Sequence, residues 1–396
     1  MESNLPPEPP PENVPPSNPT PPPVFSRPPI IAPVSAPVAR RASRGTGWKI
    51  FAVIVFVLLI LSVLLNFQHA VSGMLGGRGR SYTYRDGAYG PRLEEVTVRE
   101  SQSSTTNKIV VVPIEGIITG QAIDGTGFSM VTVVKEELKR AQDDNQVKAV
   151  ILKVDSPGGE VLASDEIANA IRDFQKSGKP VIVSMGSLAA SGGYYISAPC
   201  RYIVANELTI TGSIGVIMHG LNYRGLLDKI GVRPEVFKSG KYKDMMSGTK
   251  SPEEISPEER QMVQALIDET FGKFKNVVAD GRATAYQSNR SEPIQGKKLN
   301  ADWESYADGR ILSGKAAYDL GFVDDLGDFD LAVKRAKQLV KVNNADLIEY
   351  QQLFDLSNLF RMFGQSNAKS LKLDLGADIP KLHAGYLYFL SPTYLQ

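Results

Sequence analysis

The amino-acid sequence predicts an α/β domain built on a largely parallel sheet, and three observations predict it. Apolar, β-branched runs recur at Lys108 to Gly120, Val147 to Glu160 and Val181 to Val183, with helical stripes between them, the order produced by parallel strands and right-handed crossover helices. The runs are near-continuous rather than alternating, so both faces of the strands need cover. Two runs also end in paired glycines, Ser156-Pro157-Gly158-Gly159 and Ser191-Gly192-Gly193, and in such sheets functional loops gather at the carboxyl ends of the strands.

Taken in order, the chain reaches that domain late. Fifteen of the 26 prolines lie in the first 40 residues, and a segment so poor in apolar side chains cannot bury enough surface to offset its ordering entropy; residues 1–46 are predicted to be disordered. Ile50 to Phe67 then runs for 18 residues without a charge, nearly enough to cross a hydrocarbon core of about 30 Å, so residues 48–68 are expected to form one transmembrane helix. The long tail before it and the absence of a small-x-small site after it argue against a cleaved signal peptide. Arg40, Arg41, Arg44 and Lys49 crowd its N-terminal flank while Arg78 and Arg80 stand farther off on the other side. That bias predicts a cytoplasmic tail, anchoring in the inner (cytoplasmic) membrane and export of everything beyond about residue 70. Residues 71–106, rich in Gly, Arg, Ser and Thr, read as a tether, residues 107–340 as the globular domain and residues 341–396 as a C-terminal extension.

Within the domain, Val131, Val134, Leu138 and Ala141 mark one face of a helix over Val131 to Gln142, and Ile167, Ile171 and Phe174 mark the next. Lys179-Pro180 returns the chain to the strand before Ser191. Thr211 to Met218 is strand-like. Ser256-Pro257-Glu258-Glu259 reads as a capping box opening a long helix, with Val263, Leu266, Thr270, Phe274 and Val277 on one face to about Gly281. Gly309 to Gly321 reads as a small helix between glycine turns. In the extension, Leu353, Phe354, Leu359, Phe360 and Phe363 suggest an amphipathic segment, and Tyr386 to Leu390 is an apolar run that could dock on the domain, on a neighbour or on the membrane.

Composition excludes several classes of function. Hydrophobic residues make up 42% of the chain, enough for a real core, and 44 basic residues against 43 acidic give a net charge of +1, with no reason to propose nucleic acid as a partner. The single cysteine, Cys200, rules out an intrachain disulfide framework or a Cys-rich zinc site and reads as a buried small hydrophobe.

The chemistry centres on Ser191. It sits at a strand-to-helix corner, where backbone N–H groups and the positive end of the following helix would favour the oxyanion that acyl transfer generates. The competing reading is a helix cap in a small-residue packing motif. Gly158 or Gly159, together with Gly192, could supply two oxyanion donors, or the glycines could serve tight turns alone. A serine nucleophile needs a base. Of the three histidines, His69 is juxtamembrane and His383 lies in the tail, which leaves His219. A lysine desolvated toward neutrality is the alternative; Lys238, Lys241 and Lys243 occupy a strand-and-turn stretch, and composition does not choose among them.

Five blocks, SPGG, MGSLAASGGYYIS, TGSIGVI, FKSGKYKD and ADGRILSGKAAYDLGFVDDLG, resemble in order and spacing those of the short-form signal peptide peptidase A family, Ser-Lys proteases of the Clp/crotonase-fold superfamily, over roughly residues 108–340. The resemblance implies a Clp/crotonase-like domain of repeated ββα units. It implies Ser191 as nucleophile, Lys243 as general base, Ser213 as the hydroxyl that orients the lysine, and Gly159, then Gly158, with Gly192 as the oxyanion hole. It further implies a membrane-anchored endopeptidase that degrades cleaved signal peptides or similar hydrophobic peptides through an acyl-enzyme, without metal or cofactor. The assembly it implies is a homo-oligomeric ring, open toward the bilayer, whose sites are shared between subunits. The rivals are a Ser-Lys peptidase acting on intact membrane proteins, a crotonase-type enzyme acting on acyl-CoA, and a catalytically silent scaffold.

Overall fold

The computed structural model describes residues 51, 53–60, 90–122, 128–352 and 387–390. Two compact units divide the chain, Met1–Tyr84 and Arg85–Gln396. In the first, residues 51 and 53–60 are helical; the rest of the predicted span over 48–68, like the tail over 1–46, lies outside the described residues. Among the described residues no helix is long and apolar enough to cross a membrane.

The second unit contains the predicted α/β domain. Its strands are β1 (Leu93–Arg99), β2 (Lys108–Glu115), β3 (Val147–Ser156), β4 (Gly158–Glu160), β5 (Val181–Ala190), β6 (Tyr202–Ala205), β7 (Ile210–Gly212), β8 (Ile217–Met218), β9 (Ile311–Ser313), β10 (Asp325–Leu326), β11 (Asp346–Gln352) and β12 (Leu387–Leu390). The helices are α1 (Met130–Asp143), α2 (Val161–Gln175), α3 (Gly192–Ser197), α4 (Arg224–Lys229), α5 (Pro257–Asn289), α6 (Gly314–Asp319) and α7 (Phe329–Leu339). The main sheet runs β1-β11-β2-β3-β5-β6-β10, with β7 on the far end of β5 and β9 on β7; a second sheet runs β4-β12-β8. All neighbours from β11 to β10 are parallel, and β1 closes the edge antiparallel to β11.

Both faces of the parallel sheet are covered, as the continuous apolar runs require. Val110, Val112 and Ile114 of β2 point into one core with α1 and α2, while Ile109 and Val111 join Ala332, Val333 and Ala336 of α7 in the other. Cys200 is fully buried, and burial pushes its thiol well above the ordinary range.

The boundaries differ from expectation in three places. The stretch 71–106 is not all tether, because β1 lies within it and pairs with β11 of the extension; the domain therefore reaches beyond 107–340 in both directions. The long helix does not stop near Gly281 but runs on to Asn289. Its stripe also divides: Phe274 and Val277 are buried, whereas Leu266 remains exposed. The amphipathic segment expected over Leu353 to Phe363 lies outside the described residues.

Two buried groups shape the energetics. Arg282 of α5 meets Asp324 at 2.5 Å with both side chains fully enclosed, and Asp324 also accepts the N–H groups of Ile203 and Lys297 at 2.8 and 2.9 Å. Removing either partner would strand the other's charge in the core. Glu137 of α1 is buried as well, and burial, with nearby Glu349, pushes its carboxyl up to about 8. The folded state then holds a proton that the unfolded chain releases near pH 4.3, so stability falls as pH rises between about 4.3 and about 8. We expect Glu137→Gln to flatten that slope and to raise stability at pH 8 by more than about 1 kcal/mol, measured by denaturant unfolding across the pH range; an unchanged slope would exclude Glu137 as its source.

Candidate active site

The site grows from an irregularity in β5. Its register with β3 runs straight from Val150↔Val181 to Val154↔Met185 and then jumps to Ser156↔Ala189, leaving extra residues on β5 that bend the strand. The carboxylate of Asp155 fills the bend, accepting the N–H of Leu188 at 3.0 Å. Beyond it, β5 exchanges β6 for β7 as its neighbour, with Ala190 opposite Gly212. Ser191 follows directly.

Ser191 has φ 55° and ψ −115°, a region that costs an L-residue about 1–3 kcal/mol and persists only where surroundings enforce it. They do so here through two backbone bonds of 2.8 Å, Ser191 N–H to the carbonyl of Gly212 and Tyr195 N–H to the carbonyl of Ser191. The side chain is buried, and its hydroxyl has no hydrogen-bond partner among the described residues. An interior hydroxyl held without a partner is unfavourable for folding alone. The Ser-as-cap reading fails on the same ground, since the Ser191 side chain makes no capping bond. The following helix, α3, has only six residues, so the polarity here comes from individual N–H groups rather than from a long helix axis.

The glycines expected at the oxyanion turn converge on this corner. A Cβ on Gly192 would stand 3.0 Å from Gly158 Cα and 3.1 Å from Gly159 N, and one on Gly158 would stand 2.5 Å from Gly192 N. Backbone approaches backbone so closely that only glycine fits. Their N–H groups are not equivalent. Gly158 spends its own on Ser156 Oγ at 3.1 Å, while Glu160 N–H donates to Ile118 and Gly158 C=O accepts from it. Strand alternation turns the N–H of Gly159 to the opposite side. Gly159, opposite Phe389 in the ladder with β12, and Gly192 are the expected donors not bonded to Ser156, and Gly158 takes the turn at φ 100°.

Ser213 is placed one residue beyond the end of β7, buried, at φ 50°, its N–H bonded to the Arg310 carbonyl at 2.7 Å. Two serines thus occupy positive-φ corners at the ends of adjacent parallel strands. A third network steadies α3: Tyr195 donates to Asp165 at 2.6 Å and Lys273 pairs with the same carboxylate at 2.8 Å. Burial alone would raise Asp165, but those two hydrogen bonds hold it below the usual carboxylate range.

The bases are placed differently. Lys238 lies in irregular chain and Lys241 and Lys243 in turns, without the expected strand, and Lys243 is exposed, with no side-chain hydrogen bond or ion pair among the described residues. Within one chain no hydrogen bond joins it to Ser191 or Ser213. His219 is exposed as well. What the chain does provide is a clamp on the turn: Lys238 and Lys250 hold Asp244 at 2.8 and 3.5 Å, and Lys250 reaches Glu259 at 2.6 Å in the first turn of α5. The motif read as a capping box at Ser256 is accordingly half a box. Ser256 caps the N–H of Glu259, but the carboxylate turns to Lys250, and the reciprocal box belongs to Ser251 and Glu254. Asp155, Lys250 and Glu259 were not predicted, and for the last two the only signal was a Glu at the third position of a helix. Among the described residues no cluster of His, Cys, Asp or Glu could hold a metal ion.

Comparison with known proteins gives a consistent picture. The model of the family described as Peptidase family S49 matches residues 173–343. "Putative signal peptide peptidase SppA" of Enterococcus faecium is 39% identical over 263 residues, 65% of this chain and 71% of that protein. "Putative protease slr0021" of Synechocystis sp. is 35% identical over 277 residues, 69% of this chain and 90% of its own. "Protease 4" of Haemophilus influenzae is 36% identical over 248 residues, 63% of this chain and 37% of its own.

The clamp generates a prediction. Glu259→Gln removes the charge that holds Lys250, and the turn over residues 238–250 should be nicked several-fold faster in limited proteolysis than in the parent, with faster amide exchange at Lys243. Equal nicking and exchange would show that the turn stands without the clamp.

Proposed function

This chain belongs to peptidase family S49, and from that premise we propose that it is a membrane-anchored serine endopeptidase using Ser191 as nucleophile and Lys243 as general base on extended, apolar peptides such as cleaved signal peptides. The observation that carries the reading is the buried, unpartnered Ser191 hydroxyl at a strained corner where the backbones of Gly158, Gly159 and Gly192 converge.

The chemistry follows from those positions. A neutral Lys243 amine takes the Ser191 proton as Oγ forms a bond to the substrate carbonyl carbon. The oxygen that becomes negative is met by the N–H groups of Gly159 and Gly192, and the strained backbone keeps both aimed before the reaction begins. When the intermediate collapses, the peptide C–N bond breaks and the lysine returns its proton to the leaving amine. Water then repeats the cycle on the acyl-enzyme. Ser213 holds the amine in its productive rotamer.

This scheme needs the amine dried by a second surface, because desolvation favours the neutral form. We assign that surface to a neighbouring copy of the chain. The segment between β8 and the lysine turn leaves Leu221, Leu226, Ile230 and Phe237 exposed at 74, 61, 62 and 90%, an apolar patch of the kind that marks an interface. The N-terminal half of α5 adds the exposed Met262 and Leu266. A ring with Clp/crotonase-type subunits would close these faces on one another. The 18-residue apolar run Ile50 to Phe67 would anchor the ring in the inner membrane, tail inward and domain outward.

Ser191→Ala and Lys243→Ala should each reduce peptide cleavage by at least about 10³-fold, the scale seen when a nucleophile or its base is removed, without loss of assembly by sedimentation. Mixed and reassembled, the two inactive variants should recover a measurable fraction of activity, because some interfaces would join an intact serine to an intact lysine. Recovery of none, from mixed assemblies that form normally, would place the dyad within one chain; full activity in Lys243→Ala would transfer the base to His219.

A further inference from the structure

The glycine turn before α2 is braced by one carboxylate. β4 is only three residues long, and the segment over residues 116–120 runs beside it. Ile118, fully buried, acts as the neighbouring strand: its N–H donates to the Gly158 carbonyl at 2.9 Å, its carbonyl accepts from Glu160 N–H at 2.8 Å, and it bridges Gly159 in parallel. The fit leaves no slack, since a Cβ on Gly159 would stand 1.9 Å from the Ile118 carbonyl oxygen. One end of the segment is rooted by Gly116 N–H on the Asp155 carbonyl at 3.0 Å. At the other end the Glu160 side chain reaches back across it, with Oε1 accepting from the Thr119 hydroxyl at 2.8 Å and Oε2 from Gly120 N–H at 3.0 Å. Hydrogen bonds to an ionised carboxylate are about twice as strong as neutral ones.

Two further contacts set Glu160 apart from an ordinary surface acid. It stands at the N-cap of α2, where a side-chain oxygen ordinarily accepts the helix's own first N–H groups, yet it makes no capping bond. The carboxylate is committed to residues 119 and 120 instead. The Glu160 carbonyl also accepts the buried Ser164 hydroxyl at 2.9 Å, and a Cβ on Gly192 would stand 2.7 Å from that same hydroxyl oxygen. One residue is thus joined to Gly159 through Ile118 and to Gly192 through Ser164.

We propose that Glu160 is a positioning residue for peptide cleavage: its carboxylate clasps Thr119 and Gly120, keeps Ile118 seated against β4, and so holds the backbones of Gly159 and Gly192 at the spacing an oxyanion requires. It touches no reacting atom. Its effect falls on the transition state, because the ground-state carbonyl oxygen carries no full charge for the turn to meet. The proposal rests on the reading of Ser191 as nucleophile.

The test uses the full chain in detergent, an apolar peptide substrate and the matching peptide aldehyde. The aldehyde carbon bonds to Ser191 Oγ, the hydroxyl proton passes to the base and the aldehyde oxygen becomes negative, so its affinity reports the oxyanion contacts. Glu160→Ala should lower kcat/KM at least about tenfold, short of the loss of about 10²-fold or more that follows deletion of an oxyanion donor itself, and should weaken the aldehyde by the same factor. Affinity for uncleaved peptide, measured in the Ser191→Ala background, should not change. Glu160→Gln, which keeps one accepting oxygen, should recover part of the loss, whereas Glu160→Asp, charged but one methylene shorter, should not. Thr119→Val removes one donor without altering α2, and it reads the same quantities where a Glu160 variant fails to fold. Unchanged kcat/KM and aldehyde affinity would overturn the clasp while leaving Ser191 as nucleophile, and so would an equal loss of affinity for the uncleaved peptide. Undiminished cleavage by Ser191→Ala would overturn both.

Discussion

One backbone hydrogen bond, from Ser191 N–H to the carbonyl of Gly212 at 2.8 Å, carries more of this molecule than its energy suggests. It fastens the residue that follows a bent strand to the end of that strand's new neighbour and so fixes a serine in a conformation that L-residues avoid. Every feature of the site is a condition for that bond. The extra residues in β5 bring its end beside β7, Asp155 fills the bend, and three glycines let the turn after β3 approach the turn after β5 within a distance that no side chain would permit. The strain is small beside the stability of a domain with two closed cores, and it is spent at the corner of the proposed nucleophile.

A second constraint is electrostatic. Three carboxylates of the domain are paired and committed: Asp165 with Tyr195 and Lys273, Asp324 with Arg282, Glu259 with Lys250. None is free to accept a proton from Ser191. The lysine matched to the task by resemblance stands in solvent, so a single chain holds a trained nucleophile and an idle base. On the proposed reading, this division is what a site shared between copies requires.

Much of the fold was legible because local patterns report local surroundings. The stripes of α1 and α2, the continuous runs of β2 and β3, and the glycine pairs at their ends each state which face is covered and where the backbone must turn. The corner at Ser191 was legible for the same reason. What escaped was set by partners distant in sequence. β1 looked like a tether because it is polar and sits at an edge, and only its pairing with β11, some 250 residues on, makes it a strand. Glu259 looked like half of a capping box because the competing Lys250 precedes the helix. Tyr386 to Leu390 was recognised as apolar, but nothing in five residues announces which edge they will join. Between Gly158 and Gly159 the residues alone did not choose and the resemblance ranked Gly159 first; the structure adds that the Gly158 N–H is bonded to Ser156 Oγ.

The clamp between Lys250 and Glu259 has a mechanical consequence. At 33 residues, α5 is about 50 Å long; its far half is bolted to the core through Phe274, Val278 and Arg282, and its near half stands out as a cantilever whose tip grips the lysine turn. A lever of that length converts a few degrees of tilt at the root into ångströms at the tip. A load on the outer half of α5 would thus travel straight to the turn that carries Lys243 without touching the serine corner.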